Sequence, residues 1–361
     1  MLILGAGPAG CAAAIRAASR GLKVALVERA AFPRDLPGEA LHPDVDDLFA
    51  ELGVSEAVAR SGYVRCPGWM LVRPAERGFI PFSGLRFGYQ AWRAELDSIL
   101  LARAREAGAT VLQPAQAGAL VLDGDRVRGL DVNGDPWLCH YLADATGSAR
   151  WVSRRLRLPA LEFSPKLAAR YAYFRSNQLG TIPEFHEHAC GWSWVGRVKD
   201  DWCQYVHLPL AAGARAAANM ATPECVPPGT RFRGANVTWR LVPECAGADY
   251  FLCGDAAAVL DPAASSGVAR ALASGLQAAD LIAQVVQGSL DDQEAAAAYR
   301  RWYAHLFIQQ ARQLAERYAG LDEPPAWLGG LERRFTELER SLSIAPSDSL
   351  ANPAGAVITS S

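Results

Sequence analysis

Apolar positions change their rhythm along this chain. Leu2–Leu4 is a short continuous apolar run, and glycines follow at 5, 7 and 10. CAAAIRAASR then reads as a helix that Gly21 ends, and KVALVE as a second apolar strand closed by Glu28. Strand, helix and strand within thirty residues predict the start of a parallel sheet. Residues 89–109 predict an amphipathic helix with Leu96, Ile99, Leu100 and Ala104 on one side and Arg93 at or just before its first turn. TVLQPAQAGALVLDGDRVRGLDV is strand-like, with a hairpin signal at Asp123-Gly124. Leu142 to Ala145 predict a strand running into Thr146-Gly147. Between about 160 and 240, YAYFRS, GWSWVGRV and CQYVHLPL carry aromatics at alternate positions and predict a mostly β region. VARALASGLQAADLIAQVV predicts a helix. Tyr299, Trp302, Leu306, Ala311, Leu314 and Tyr318 follow helical spacing in a stretch that Glu323-Pro324-Pro325 breaks, and SDSLANPAGAVITSS reads as a mobile tail.

The first thirty residues carry the clearest chemistry. Gly5, Gly7 and Gly10 form G-x-G-x-x-G between a strand and a helix. Gly5 allows a tight turn, Gly7 lets backbone approach a pyrophosphate, and Gly10 lets helix and strand pack closely. The helix N-terminus offers free N–H groups to phosphates. Glu28, at the end of the second strand, can accept hydrogen bonds from a ribose diol. A bare strand-to-helix turn has no need of that acid, so a dinucleotide site is expected. The first strand is short at its start.

Composition narrows the partners. A chain of 361 residues with half of them hydrophobic is long enough for two domains. The formal net charge is -2, without a long basic run, which argues against nucleic acid. There is no uncharged apolar run of about 18 residues, so no membrane span is expected. The 8 cysteines include no C-x-x-C pair and read as reduced thiols of a cytoplasmic protein. His186 and His188 form H-x-H in what reads as a polar loop without further ligands, so no metal is expected.

Four motifs together resemble the FAD-dependent monooxygenases of the glutathione-reductase-like group, which includes aromatic hydroxylases, flavin-dependent halogenases and geranylgeranyl reductases. They are GAGPAG with Glu28, the Arg93 helix, DATG at 144–147, and GDAAAVLDPAASSG at 254–267. The resemblance implies an α/β fold: a Rossmann-type FAD-binding domain, an inserted mostly β substrate domain and a C-terminal helical element. The expected division is 1–65, 88–158 and 240–288 for FAD, 66–87 and 159–239 for substrate, 289–345 for the helices and 346–361 for the tail. It implies FAD contacts at Gly5, Gly7, Pro8, Ala9, Gly10, Glu28, Arg29 and Arg93. It places Asp255 on the ribityl chain, Asp261-Pro262 beside the isoalloxazine ring, and Gly267 where backbone nears that ring. The helix N-terminus that follows is expected to stabilise negative charge on the reduced flavin. No second G-x-G-x-x-G is present, so electrons are expected from transiently bound NAD(P)H or from a separate flavin reductase.

PGEALHP resembles the Gly-Glu-Ser-Leu-x-Pro step of halogenase-like members, with Ala40 in place of Ser, and implies that Glu39 and His42 lie near the flavin. His42 reads as a general base, a substrate contact or a flavin tether, or as a histidine that holds its loop through a backbone hydrogen bond. Trp192 and Trp194 in GWSWVG either line a substrate pocket or pack. Tyr205 and His207 are expected to face the same cavity. Halogenation is not expected: Val195-Gly196 stands where Ile-Pro follows in halogenases, and no lysine falls within 60–90. The leading expectation is a monooxygenase that hydroxylates an aromatic substrate with O2 through a flavin C4a-hydroperoxide. A branch sharing the Gly-Glu-x-Leu-His-Pro segment hydroxylates a tryptophan of a partner protein during quinone-cofactor maturation, and implies a docking-sized mouth over the flavin. A flavin reductase or dehydrogenase of an alkene or isoprenoid-like substrate is the second reading. A catalytically idle, chaperone-like binder is the third, and the intact Gly5, Gly7, Gly10, Glu28 and Asp255 argue against it.

Overall fold

The computed structural model describes residues 1–34, 39–210 and 223–344; the side chains of Glu39 and Leu85 and the expected tail lie outside the described residues. A five-stranded parallel sheet has the order Tyr250–Leu252, Leu142–Asp144, Leu2–Leu4, Ala25–Val27, Thr110–Leu112. The helices Pro8–Ser19 and Arg93–Glu106 are those the apolar rhythm predicts, whereas Val45–Leu52 and Ser55–Arg60 are additions. The first helix is Pro8–Ser19, starting three residues earlier than CAAAIRAASR because proline suits a first helical turn. It packs between the helices Arg93–Glu106 and Gly267–Val286. Contact with the second is very close: a Cβ on Gly275 would stand 2.2 Å from the Ala9 carbonyl oxygen. Asp123-Gly124 does turn a hairpin, pairing Ala117–Asp123 with Arg126–Val132.

The second large sheet has seven strands, in the order Arg233–Asn236, Ala168–Arg175, Trp202–Pro209, Gly191–Lys199, Glu184–His188, Gly68–Arg73, Glu76–Pro81. It is antiparallel except where Glu184–His188 meets Gly68–Arg73. Strand Glu184–His188 holds His186 and His188, so the H-x-H lies on a strand and not in a loop. His186 contacts Glu184 at 3.0 Å and His188 contacts Ser193 at 2.9 Å.

Register decides which side chains share a face. Trp194 pairs with Phe185 on one side and Val206 on the other, while Val195 pairs with Tyr205 and Ser193 with His207. Phe185, Trp194 and Val206 therefore lie on one face. Tyr205 and His207 lie on the other, with a small separate core of Phe174, Val195, Cys203 and Val226. The expectation that Tyr205 and His207 share a cavity with the two tryptophans is corrected by this one-residue offset.

The C-terminal element is two helices, Asp292–Ala319 and Leu331–Ser341, with the break around the proline pair. The first opens with a capping box in which Asp291 accepts from Gln293 and Glu294. The element is tied to the tryptophan face of the sheet: Trp192 donates to the Tyr318 hydroxyl at 2.9 Å, and Trp327 to the Leu210 carbonyl at 3.1 Å. Among the described residues no helix is long and apolar enough to cross a membrane.

Candidate active site

Two cavities meet at one turn. The first, about 520 Å³, is a groove along the carboxyl ends of the parallel strands. Gly5, Gly7, Pro8, Ala9, Glu28, Arg29 and Arg93 line one part, and Thr146, Asp255 and Gly267 another. Gly10 lies beneath: a Cβ there would stand 1.8 Å from the Gly5 carbonyl oxygen. Gly5 takes φ +99° in the turn itself. At Gly7 an added Cβ would meet only the Arg34 guanidinium, at 3.8 Å. The turn is therefore tight on its inner side and open toward the groove. The helices starting at Pro8 and at Gly267 both lack a capping side chain and both open here. Their unpaired N–H groups suit a diphosphate at one and the electron-rich edge of a flavin at the other. The glycine turn and the two uncapped helix starts along the groove thus fit FAD.

Glu28 also serves the scaffold. It is buried and accepts from the backbone N–H of Ala6 at 2.8 Å and of Ala30 at 2.9 Å. Arg34 reaches it at 3.4 Å and reaches Asp97 at 2.6 Å, and Arg93 meets the same fully buried Asp97 at 2.9 Å. Glu28, Arg34, Asp97 and Arg93 thus lock the glycine turn to the helix Arg93–Glu106. Asp144 of DATG plays a similar part. Its carboxylate accepts from the Thr146 N–H and hydroxyl and from the Val152 N–H at 2.6–3.0 Å. Burial nevertheless pushes its pKa above the usual carboxylate range. Asp255 is different: its side chain is 46% exposed, into the groove, with Arg270 3.8 Å away.

The second cavity, about 240 Å³, is aromatic. Trp192 stacks on Phe185 (5.5 Å, 22°), Trp194 meets Phe185 edge-on (6.4 Å), and Trp69 lies against Phe82 (5.4 Å). Trp192 and Trp194 therefore both line the cavity. Gln90 and Gln204, joined at 3.3 Å, form a polar patch, and His42 and Arg317 are its basic side chains. Trp69, Phe82, Phe185 and Arg317 are additions to the residues read from sequence. One signal was available: Gln310, Gln313, Leu314 and Arg317 follow helical spacing and all line the cavity.

His42 lies at the cavity edge, its ring edge-on to Phe82 at 5.0 Å. Its Nδ1 stands 3.1 Å from the Asp44 carboxylate, closer than the 3.5 Å to the Asp44 N–H that a loop-holding role would use. Arg86 holds Asp44 in turn, at 3.2 Å. The imidazole is thus anchored through Nδ1, which leaves Nε2 for a ligand. Glu39 opens the neighbouring strand Glu39–Leu41, and its side chain is outside the described residues.

The turn Asp261–Gly267 is the wall between the cavities. Pro262, Ala263, Ala264 and Ser265 face the aromatic cavity, while Gly267 and Val268 face the groove. Asp261 itself is turned inward and fully buried. It accepts from Trp239 Nε1 at 2.7 Å, from the Tyr318 hydroxyl at 2.7 Å and from the Ala263 N–H at 3.0 Å. Ser265 takes φ +47°, an uncommon conformation for a residue with a Cβ, and turns the chain into the helix. His207 and Tyr205 stay behind the sheet. Burial, with Arg170 and His188 nearby, lowers the His207 pKa to about 4. Among the described residues no group of three or more His, Cys, Asp or Glu is placed to hold a metal ion.

Comparison with known proteins agrees with this geometry. Residues 1–154 match the family model described as FAD dependent oxidoreductase. The chain is 29% identical over 356 residues to a tryptophan 2-halogenase of Chondromyces crocatus, covering 88% of this chain and 67% of that protein. Its fold matches the myxobacterial chondrochloren halogenase CndH with TM-score 0.79 and 22% identity, over 96% of this chain and 90% of the other. It matches the peptidyl tryptophan dihydroxylase QhpG with TM-score 0.70 and 21% identity, over 93% and 78%. These relatives overturn the expectation of a monooxygenase in preference to a halogenase, because the curated matches are largely named flavin-dependent halogenases. The two local differences that argued against halogenation, the missing Ile-Pro and the missing lysine, do not outweigh likeness over 88% of the chain. Residues 1–154 thus match an FAD-dependent oxidoreductase family, and flavin-dependent halogenases are among the proteins that most of the chain resembles.

Proposed function

We propose that this protein halogenates an electron-rich aromatic substrate, with FAD in the groove and the substrate ring in the aromatic cavity. One observation carries the reading: the turn Asp261–Gly267 is a shared wall, with the groove on one side and the cavity on the other. Overall, an aromatic C–H, a halide ion, O2, reduced FAD and a proton become a carbon–halogen bond, oxidised FAD and two waters. FAD supplies the redox chemistry when bound. The chain's own residues do the rest. Trp69, Phe82, Phe185, Trp192 and Trp194 exclude water and orient the ring. His42, anchored by Asp44, accepts at Nε2 the proton that the ring gives up. The uncapped N-terminus of Gly267–Val286 favours negative charge in the groove.

The Gly5–Gly10 turn holds the diphosphate in this reading, Glu28 the ribose and Asp255 the ribityl chain. Electrons come from transiently bound NAD(P)H or from a separate flavin reductase. The relative named for a peptidyl tryptophan supports a ring borne by a partner protein as one form of the substrate.

The test supplies purified protein with FAD, a flavin reductase, NADH, air and sodium bromide, against a panel of indoles, pyrroles and phenols. A product carrying the bromine isotope pair is expected. Products containing an atom from labelled O2 and no bromine would sink the proposal. His42→Gln is expected to lower turnover by about 10²-fold and to leave FAD affinity unchanged.

A further inference from the structure

We infer that the aromatic cavity takes a ring bearing a carboxylate, held by Arg317; the inference rests on the reading above for where the ring sits. Arg317 lines the cavity from the helix Asp292–Ala319, its guanidinium 5.2 Å from the Phe185 ring centroid. Phe185 is itself stacked on Trp192. The cation is therefore held against an aromatic wall before any ligand arrives.

No Asp or Glu lines this cavity among the described residues. The nearby Asp261 is fully engaged by Trp239, Tyr318 and Ala263. Two other arginines on the same helix are paired: Arg312 with Glu332 and Glu339, Arg300 with Glu244. Arg317 forms no ion pair among the described residues. The Asp261 charge is felt by Arg317, but no carboxylate bonds its guanidinium among the described residues, so its donors are left for an anion from the ligand.

A second observation points the same way. Gln310, two turns earlier on the same face, lines the cavity and is 3% exposed. Its Oε1 accepts from Arg270 at 2.8 Å. Arginine can only donate, so this contact fixes the orientation of the amide. Its Nε2 is then left without an acceptor among the described residues. The wall thus presents a cation and no acidic acceptor among the described residues, with a buried amide donor left unpartnered on the same helix, and a planar carboxylate suits the cation. A halide ion would share the anionic chemistry, and the test separates the two.

Calorimetric titration of the FAD-loaded protein with indole-3-carboxylate and with indole-3-carboxamide, in halide-free buffer, reads the preference without turnover. The acid is expected to bind at least about tenfold more tightly than the amide. Arg317→Gln, with unfolding temperature as the check on folding, is expected to abolish the preference, and Arg317→Lys to keep part of it. Equal binding, binding of neither compound, or an unchanged preference in Arg317→Gln overturns the inference. Displacement of the acid by sodium bromide assigns the site to halide and also overturns it. A failed bromination assay alongside an intact acid preference would count against the proposed reaction alone.

Discussion

Tyr318 donates its hydroxyl hydrogen to the Asp261 carboxylate across 2.7 Å, and both residues are sealed from solvent. The same hydroxyl accepts from Trp192 Nε1, so one atom joins the aromatic wall, the long C-terminal helix and the turn between the two cavities. Burial raises the Asp261 pKa above the ordinary carboxylate value, and the Tyr318 and Trp239 donors pull it part of the way back. A folded pKa above the unfolded one means that stability falls as pH rises from the ordinary carboxylate range through the folded value. Tyr318→Phe removes one donor to the charged form. It is expected to cost about 1–3 kcal/mol at neutral pH and less at acid pH, measured as urea midpoints across that range.

His207 should make the fold acid-sensitive. Its pKa is about 4 against an ordinary 6.5, through burial first and then Arg170 and His188. Both ring nitrogens lack hydrogen-bond partners among the described residues. A depressed folded pKa means that the stability is present above 6.5 and is lost as pH falls toward 4. At roughly 1.4 kcal/mol per unit, the loss is on the order of 3 kcal/mol. His207→Leu is expected to flatten the pH dependence of urea unfolding in that window and to leave the aromatic cavity functional. An unchanged acid limb would refute the assignment.

Two glycines on one helix should respond oppositely to an added methyl. At Gly275 a Cβ would meet the Ala9 carbonyl at 2.2 Å, so Gly275→Ala must push the first helix away and is expected to cost about 1–3 kcal/mol. At Gly267 nothing lies within 4 Å, yet the residue faces the groove. Gly267→Ala is expected to unfold like the parent while binding FAD more weakly, as read by flavin fluorescence and thermal unfolding together.

Asp255 projects into the groove and lies 3.8 Å from the buried Arg270, whose charge it faces. Asp255→Ala is expected to weaken FAD binding by roughly tenfold, the scale of one hydrogen bond to a charged group, and to lower apo-protein stability because Arg270 loses its counter-charge. Retention of parental FAD affinity would remove Asp255 from the proposed flavin contacts.

Local signals proved reliable where a motif is one continuous piece of chain. The glycine turn, its flanking strands, the Asp123-Gly124 hairpin and the proline break all follow from steric rules acting over a few residues. Glu28 was readable as a groove residue, whereas its bonds to Ala6, Ala30 and Arg34 were not, because Arg34 is also held by Asp97, 63 residues away. Tyr205 and His207 show the limit of a period-two pattern. Alternation says which residues share a face, but not which face meets the cavity.

What the sequence by itself determined is the scaffold of the groove: Gly5, Gly7, Gly10, Glu28 and Asp255 sit in short segments whose geometry is set locally. What only the tertiary structure decided is the aromatic cavity. Trp69, Phe82, Phe185, Trp194 and Arg317 come from five separate segments, and none has a fixed spacing to the others. Strand register brought the tryptophans to one face, and the C-terminal helix laid Arg317 across Phe185. Side-chain burial and sheet pairing couple residues far apart in the chain, and that coupling leaves no local pattern to read.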